Sequence, residues 1–212
     1  MPLATATPAG FPGVCYRGGI RGSSDLSSRI IEDRDLSSLL ADLFDFNVSR
    51  QAGADSPRLI SGQQLKSIAG AFSGGEFYLC GMRGTRRPVL CASSEGEAGR
   101  IADDLRDALR LMIGFPYWRD ALKYSANGDL ASMEVATGFL WRDLLAKHPE
   151  IVDKQSRVAG MLGVDLDTPL ELITRLHAVV KDAGQDFLFA DDTGEYGSLF
   201  GPFPPSRNQR WQ

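Results

Sequence analysis

Hydrophobic residues recur at helical spacing early in the chain. Five of them share one face of a predicted helix over Leu36–Phe46: Leu36, Leu39, Leu40, Leu43 and Phe44. The polar stretch Asn47–Pro57 contains glycine and proline and predicts a loop. Ser61 stands three residues before Gln64, the spacing of a capping box, and this predicts a short second helix that ends at Gly70. The apolar residues of this helix are Leu65, Ile68 and Ala69.

The stretch Glu76–Gly81 is apolar at consecutive positions rather than at helical spacing. Alternation places Phe77 and Leu79 on one face of a strand and their apolar neighbours on the other, so we expect cover on both faces. The polar turn Met82–Arg87 separates this strand from Pro88–Ala92, a second strand. The pair predicts a β-hairpin with a long loop.

The most regular helical pattern follows Ser94, which stands three residues before Glu97 in another capping-box spacing. Seven apolar residues form one stripe: Ala98, Ile101, Ala102, Leu105, Ala108, Leu109 and Met112. These features predict a helix over residues 97–113 that stops at Gly114. We expect the aromatic residues of 115–119 to hold the end of this helix against the sheet.

The remainder of the chain has a mainly helical pattern. Helices are predicted over Asp129–Lys147 and Pro149–Leu162. Another begins at Thr168, where a following proline and Glu171 complete the signature of a helix start. The segment Asp186–Ala190 predicts a last short strand.

Together these elements predict an α+β fold, with a small, mainly antiparallel sheet packed against helices and a helical C-terminal extension. We expect residues 1–22 to form a flexible N-terminal arm, because Pro, Gly, Ala and Thr predominate there. An α+β core domain over residues 23–125 follows. A mainly helical C-terminal extension over residues 126–212, packed on the core, completes the predicted organisation.

Composition and charge argue against several classes of function. The formal net charge is −4, so we expect no nucleic-acid partner, because phosphate binding needs a basic face. Three cysteines do not make a disulfide framework, and the N-terminus lacks the basic and apolar regions of a secretory signal. The most apolar run is too short to cross a bilayer. We therefore expect a cytoplasmic protein with reduced cysteines and no membrane partner.

Motifs that hold cofactors or reacting groups are missing from the sequence. It contains no phosphate-binding glycine loop, dinucleotide fingerprint or nucleophile elbow, so we expect no cofactor. His148 and His177 belong to no metal-binding pattern, so we expect no metal site. Cys80 and Cys91 lie in predicted strands, where burial keeps a thiol unreactive. We expect no catalytic residues. The alternative is a small intracellular hydrolase that uses Cys91, or a carboxylate pair with His177.

The elements between residues 60 and 113 follow a characteristic order. A helix ends at Ile68-Ala69-Gly70, glycines follow in Ser73–Glu76, and an apolar strand, a polar turn, the strand at Pro88-Val89-Leu90 and a helix come after them. This order resembles the core of the SMI1/KNR4 (SUKH) superfamily. The resemblance implies an interaction module, or a bacterial immunity protein that binds and neutralises a toxin such as a nuclease, and it implies no catalytic residues. Independently of it, Gly74 and Gly75 permit backbone conformations and close approaches at a strand entrance that other residues forbid.

A protein partner must be contacted through exposed segments, and three segments are candidates for the binding surface. The turn Arg83–Arg87 is basic and would repel a basic toxin. The acidic residues of Glu95–Asp107 and of Asp186–Tyr196 would attract one, and the second segment also carries aromatic residues, which are frequent in interface hot spots. We expect Phe187 and Phe189 in the core. The predicted partner-binding residues are therefore Asp191, Asp192, Glu195 and Tyr196.

Overall fold

The computed structural model describes residues 23–50, 56–82 and 86–202. The predicted arm over residues 1–22 lies outside the described residues. Within the described ranges the chain forms seven α-helices and two mostly antiparallel sheets. The predicted α+β class, with helices following the sheet in the C-terminal region, is confirmed.

The helices agree with the sequence pattern in the C-terminal half and less well before it. In chain order they are α1 (Ser23–Glu32), α2 (Arg34–Phe44), α3 (Leu105–Gly114), α4 (Trp118–Lys123), α5 (Leu130–Lys147), α6 (Ile151–Leu162) and α7 (Pro169–Lys181). The predictions of α2, α5, α6 and α7 are confirmed with small shifts at their ends. Thr168 and Glu171 form the predicted capping box at the start of α7. No prediction covered α1.

In the part of the chain that the structure describes, eight strands build the two sheets. They are β1 (Arg58–Leu59), β2 (Leu65–Gly70), β3 (Glu76–Cys80), β4 (Val89–Ala92), β5 (Glu97–Ala102), β6 (Phe189–Asp191), β7 (Gly194–Glu195) and β8 (Gly197–Ser198). The larger sheet has the order β2-β3-β4-β5-β8, in which the first four strands form an antiparallel meander and β8 lies parallel to β5. The smaller sheet has the order β1-β6-β7 and is antiparallel. A 3-10 helix over Gln185–Phe187 precedes β6, so the predicted last strand begins later than expected.

The predicted hairpin of β3 and β4 lies at the centre of the molecule and is covered on both faces. Phe77 and Leu79 point into the main cluster, the large group of buried side chains between the larger sheet and the helices. Tyr78 and Cys80 point into the second cluster, which they form with residues of β1, β4 and β6 such as Phe189. All five residues of β3 are therefore buried, as the apolar pattern on both faces predicted.

The prediction of a short helix that ends at Gly70 is wrong, because this segment forms strand β2. Its pairing with β3 skips one residue: Ser67 lies opposite Tyr78 and Ala69 lies opposite Phe77, which leaves Ile68 as a bulge. A bulge lets two consecutive residues face the same side of a sheet. Ile68 and Ala69 are both buried as a result. The hydroxyl of Ser61, the predicted cap, donates instead to the backbone carbonyl of Asp186 at 2.8 Å.

The prediction of a single helix over residues 97–113 is wrong for its first part, because Glu97–Ala102 forms strand β5. Here too the pairing skips one residue, because Arg100 lies opposite Leu90 and Ala102 lies opposite Val89. Ile101 and Ala102 are consequently both buried. Helix α3 starts only after Asp104, whose carboxylate accepts the backbone N–H of Asp107 at 3.0 Å.

The glycines before β3 shape the turn that joins it to β2. Gly74 has a φ angle of +94°, a region that residues with a side chain rarely adopt. A Cβ atom on Gly75 would lie 2.9 Å from the backbone oxygen of Ala92. The turn can therefore approach the end of β4 only because both positions are glycine, as the sequence predicted.

The aromatic segment after α3 joins the helix end to the sheet. Phe115 and Trp118 are buried in the main cluster. The guanidinium of Arg119 lies 4.6 Å from the ring centre of Trp118 and 5.2 Å from that of Phe77 in β3. The side-chain amide of Gln155 in α6 donates to the carbonyl of Ile113 at 2.6 Å. This bond satisfies one of the backbone carbonyls that have no partner within the last turn of α3. The predicted contact between this corner and the sheet is present.

Candidate functional site

The acidic hairpin formed by β6 and β7 contains the four predicted partner-binding residues. Its turn is organised by Asp191, whose Oδ1 accepts the backbone N–H of Thr193 at 2.7 Å and its hydroxyl at 2.6 Å. The other carboxylate oxygen of Asp191 accepts the hydroxyl of Tyr196 at 2.8 Å. An aspartate that binds the backbone two residues ahead forms an Asx turn. The hairpin therefore has a fixed conformation that its own side chains maintain.

The hydrogen bonds of this turn also fix its protonation state. Those from Thr193 and then from Tyr196 hold the pKa of Asp191 below its usual range. Burial, followed by the hydrogen bond to Asp191, raises the pKa of Tyr196 to about 12. At neutral pH Asp191 is consequently an ionised acceptor and Tyr196 a protonated donor. Neither group has a pKa suited to general acid or base catalysis near pH 7.

The four predicted partner-binding residues differ in their exposure. Asp192 and Glu195 are exposed. Asp191 is only 5% exposed, and Tyr196 is half-buried, with its ring edge-on to Phe189 at 4.8 Å between centres. The expectation that all four are exposed is wrong for Asp191, because its carboxylate is enclosed by the turn it stabilises. The role of these residues in partner binding stays a prediction.

The aspartates of the other acidic segment are paired with arginines. The guanidinium of Arg86 lies 3.5 Å from the carboxylates of Asp103 and Asp107 and 3.6 Å from that of Asp104. Arg110 contacts Asp107 from the next turn of α3, at 3.4 Å. These pairs leave little unbalanced negative charge at the start of α3 to attract a basic protein.

The basic turn has a structural role where it is described. Arg87 is buried and donates to the carbonyl oxygens of Leu79 at 3.0 Å and Cys80 at 3.2 Å. Arg86 is paired with Asp103, Asp104 and Asp107 at the start of α3. Residues 83–85 of this turn lie outside the described residues.

The two cysteines of the central hairpin are free and buried on opposite faces of the sheet. Burial raises the pKa of Cys80 to about 12. Burial also raises the pKa of the Cys91 thiol, although Arg119 opposes this effect. A cysteine nucleophile needs a lowered pKa and access to a substrate. Neither thiol has these properties, and the two cannot form a bond with each other across the sheet.

The histidines make contacts near the two ends of α5. His177 is 8% exposed, and its Nε2 lies 2.8 Å from the carbonyl oxygen of Gly128. Because a carbonyl only accepts, this nitrogen carries the proton. The carboxylate of Asp129 lies near this ring, but it caps α5 by accepting the backbone N–H of Ser132 at 2.8 Å. His148 ends α5, and its backbone N–H donates to Leu144.

The cavities found next to these elements are small. One lies between α3, α7 and β5, and another between α1 and β2, and each has a volume of about 30 Å³. That is close to the space of one water molecule, far below the several hundred Å³ of a typical small-molecule site. Among the residues that the structure describes, no group of three or more His, Cys, Asp and Glu side chains could hold a metal ion.

No family model, curated protein or solved structure matches this chain. The resemblance to the SMI1/KNR4 (SUKH) superfamily therefore stays a prediction, and the element expected before the glycines is a strand rather than a helix. In the described part of the chain, no helix combines the length and the apolar character needed to cross a bilayer.

The sequence prediction treated Asp191 as exposed, whereas its carboxylate stabilises the turn of the hairpin. A signal was present, because Asp191 stands two residues before Thr193 and three before Gly194, the pattern of an Asx turn. This pattern assigns a structural role in the turn to Asp191 but not to its exposed neighbour Asp192. The pairing of Asp191 with Tyr196 depends on the strand register and has no local signal.

Proposed function

We propose that this chain is a non-enzymatic protein-binding module, an immunity protein that binds and neutralises a bacterial protein toxin in the cytoplasm. The observation that carries the proposal is the acidic turn between β6 and β7. Asp192 and Glu195 project from a backbone that Asp191 holds in place. A binding group that is already ordered loses little conformational entropy when a partner arrives.

The environment of the reactive side chains supports binding rather than catalysis. Cys80 and Cys91 are buried with raised pKa values, and His177 donates to a backbone carbonyl. Each of these groups serves the packing or hydrogen bonding of the fold. A hydrolase that uses Cys91, or a carboxylate pair with His177, would have to release such a group before it could react.

The charge of the turn supports a basic partner, such as a toxin that itself binds nucleic acid. Opposite charges accelerate the encounter of two proteins and make its rate depend on salt. The net charge of −4 on the whole chain acts in the same direction. Nucleic acid and membranes are not part of the proposal, because both would attract a basic surface instead.

The proposal is tested with the toxin candidate encoded next to the gene of this chain. Co-expression should restore growth, and the variants Cys80→Ala, Cys91→Ala, His148→Ala and His177→Gln should restore it equally when they remain folded. The double variant Asp192→Lys/Glu195→Lys should lose protection, because it places positive charge against a basic partner. Asp191 is left unchanged, since its replacement would disturb the turn.

The results separate binding from catalysis. Loss of protection in a folded Cys91 or His177 variant would favour the hydrolase. Failure of the unchanged chain to bind this toxin or to restore growth would overturn the proposal.

A further inference from the structure

The outer face of the smaller sheet carries a pair of exposed aliphatic side chains. Leu59 and Phe189 pair across β1 and β6 and are buried against the larger sheet. One position further on, the backbone N–H of Ile60 donates to the carbonyl of Leu188 at 2.9 Å. Because side chains alternate between faces, Ile60 and Leu188 point away from the core. They are 50% and 38% exposed.

Charged residues lie on the same segments as this aliphatic pair. Asp186, Asp192 and Glu195 are exposed in the segment that contains Leu188, and Arg58 is the charged residue of β1. The guanidinium of Arg58 is held at 3.3 Å by the carbonyl oxygen of Asp191. Three exposed carboxylates against one guanidinium give these two segments a net negative charge. An apolar centre with a charged rim is the arrangement found in specific protein interfaces.

The backbone beneath the aliphatic pair is held by hydrogen bonds on both sides. The Ser61 hydroxyl donates to the carbonyl of Asp186 at 2.8 Å. The N–H of Gly62 donates to the carbonyl of Leu59 at 2.9 Å and closes the turn after β1. The exposed side chains therefore project from a surface that is ordered without a partner, which favours affinity.

We infer that this outer face, made of Ile60, Leu188, Asp186, Asp192 and Glu195, is the docking surface for a basic protein. The aliphatic pair contacts an apolar side chain of the partner, and the carboxylates pair with lysines or arginines around it. The inference rests on the proposed function and assigns the surface that carries it. Ile60 and Leu188 supply the contact area that the acidic turn alone lacks.

Another exposed apolar pair lies on α5, where Val135 and Phe139 are one helical turn apart. There the guanidinium of Arg142 lies 4.7 Å from the ring centre of Phe139. The other charges on this part of α5 are Glu134 and Asp143, and Asp143 is paired with Lys147 at 2.8 Å. The charge is therefore mixed here, so charge complementarity favours the outer face of the smaller sheet. The α5 pair lies on the helical side of the larger sheet and supplies a matched control.

The experiment measures binding kinetics of the full chain with the product of the adjacent gene, the candidate toxin, in a catalytically inactive form. Ile60→Ser and Leu188→Ser should each raise the Kd about tenfold, mainly through faster dissociation, as expected for residues at the centre of an interface. Asp192→Lys/Glu195→Lys should slow association and weaken its dependence on salt. Val135→Ser removes similar apolar surface on α5 and should change neither rate.

The outcomes distinguish an error in the inferred docking surface from an error in the proposed function. If the unchanged chain binds and the folded Ile60 and Leu188 variants bind equally well, the inference is wrong and the proposed function stands. If Val135→Ser weakens binding instead, the docking surface lies on α5. If the unchanged chain does not bind this toxin, both the inference and the proposed function are overturned.

A measurement on the unchanged protein tests the docking surface even if a variant fails to fold. Hydrogen–deuterium exchange of the complex should show added protection in residues 58–62 and 186–196. Added protection confined to α5, or its absence from both segments, would contradict the inference.

Discussion

Asp191 and Asp192 are neighbours in the sequence and have different roles in the structure. The carboxylate of Asp191 turns inward and binds Thr193 and Tyr196, while Asp192 is exposed at the turn. Composition predicted the negative charge of this segment correctly. It could not show which carboxylate stabilises the hairpin, because this depends on the register that brings Tyr196 next to Asp191.

We expect Asp191→Asn to lower the melting temperature at neutral pH and Asp192→Asn to leave it unchanged. The amide at position 191 keeps one acceptor for Thr193 but offers Tyr196 a donor in place of an acceptor. The folded-state pKa of Asp191 is lowered from 3.8, so its contribution to stability is present above that pH and is lost as the pH falls through the lower value.

Thermal unfolding followed by circular dichroism between pH 7 and pH 2 tests this prediction. The difference between the unchanged protein and Asp191→Asn should shrink in acid, because a protonated Asp191 resembles the amide. Equal melting temperatures at pH 7 would contradict the structural role of this carboxylate.

At the scale of elements, both wrong helix predictions fall on bulged strands. In β2 and in β5 one extra residue breaks the alternation, so that Ile68-Ala69 and Ile101-Ala102 are each buried as consecutive pairs. Together with an apolar residue three positions earlier, Leu65 or Ala98, such a pair reproduces the spacing of a helical stripe. Longer patterns do not have this ambiguity, which is why α5, α6 and α7 could be predicted.

Two helical glycines should respond in opposite ways to the same substitution. Gly138 in α5 has open space where a Cβ atom would stand, so Gly138→Ala should stabilise the protein by up to about 1 kcal/mol through helix propensity. A Cβ atom on Gly114 at the end of α3 would lie 2.4 Å from a methyl carbon of Leu172. Because Leu172 is buried in the core, we expect Gly114→Ala to be destabilising, with an overpacking cost of about 1–3 kcal/mol.

Urea denaturation of both variants, with the free energy of unfolding extrapolated to water, measures the two effects. A stabilising Gly114→Ala would mean that Leu172 moves aside freely and that the packing between α3 and α7 is loose.

At the scale of the whole molecule, the last strands of the described chain complete both sheets. β1 pairs with β6, more than a hundred residues later, and β8 pairs with β5. The sequence predicted that β3 is covered on both faces, but not that β1 and β6 supply one of the covers. Local periodicity reports which face of an element is apolar. It carries no information about which distant segment packs there.

The main cluster includes side chains from both sides of residue 125, so the two predicted parts, 23–125 and 126–212, should unfold together. Trp118 is buried in this cluster from one part, and Trp141 packs against it from the other.

Tryptophan fluorescence can follow each part separately. When Trp211 and either Trp118 or Trp141 are replaced by Phe, the remaining tryptophan reports on its own part. We expect its fluorescence transition in urea to coincide with the far-ultraviolet circular dichroism transition of the same variant, because loss of either part exposes the other. A Trp141 transition at a lower urea concentration than the loss of secondary structure would show instead that the C-terminal extension opens independently of the core.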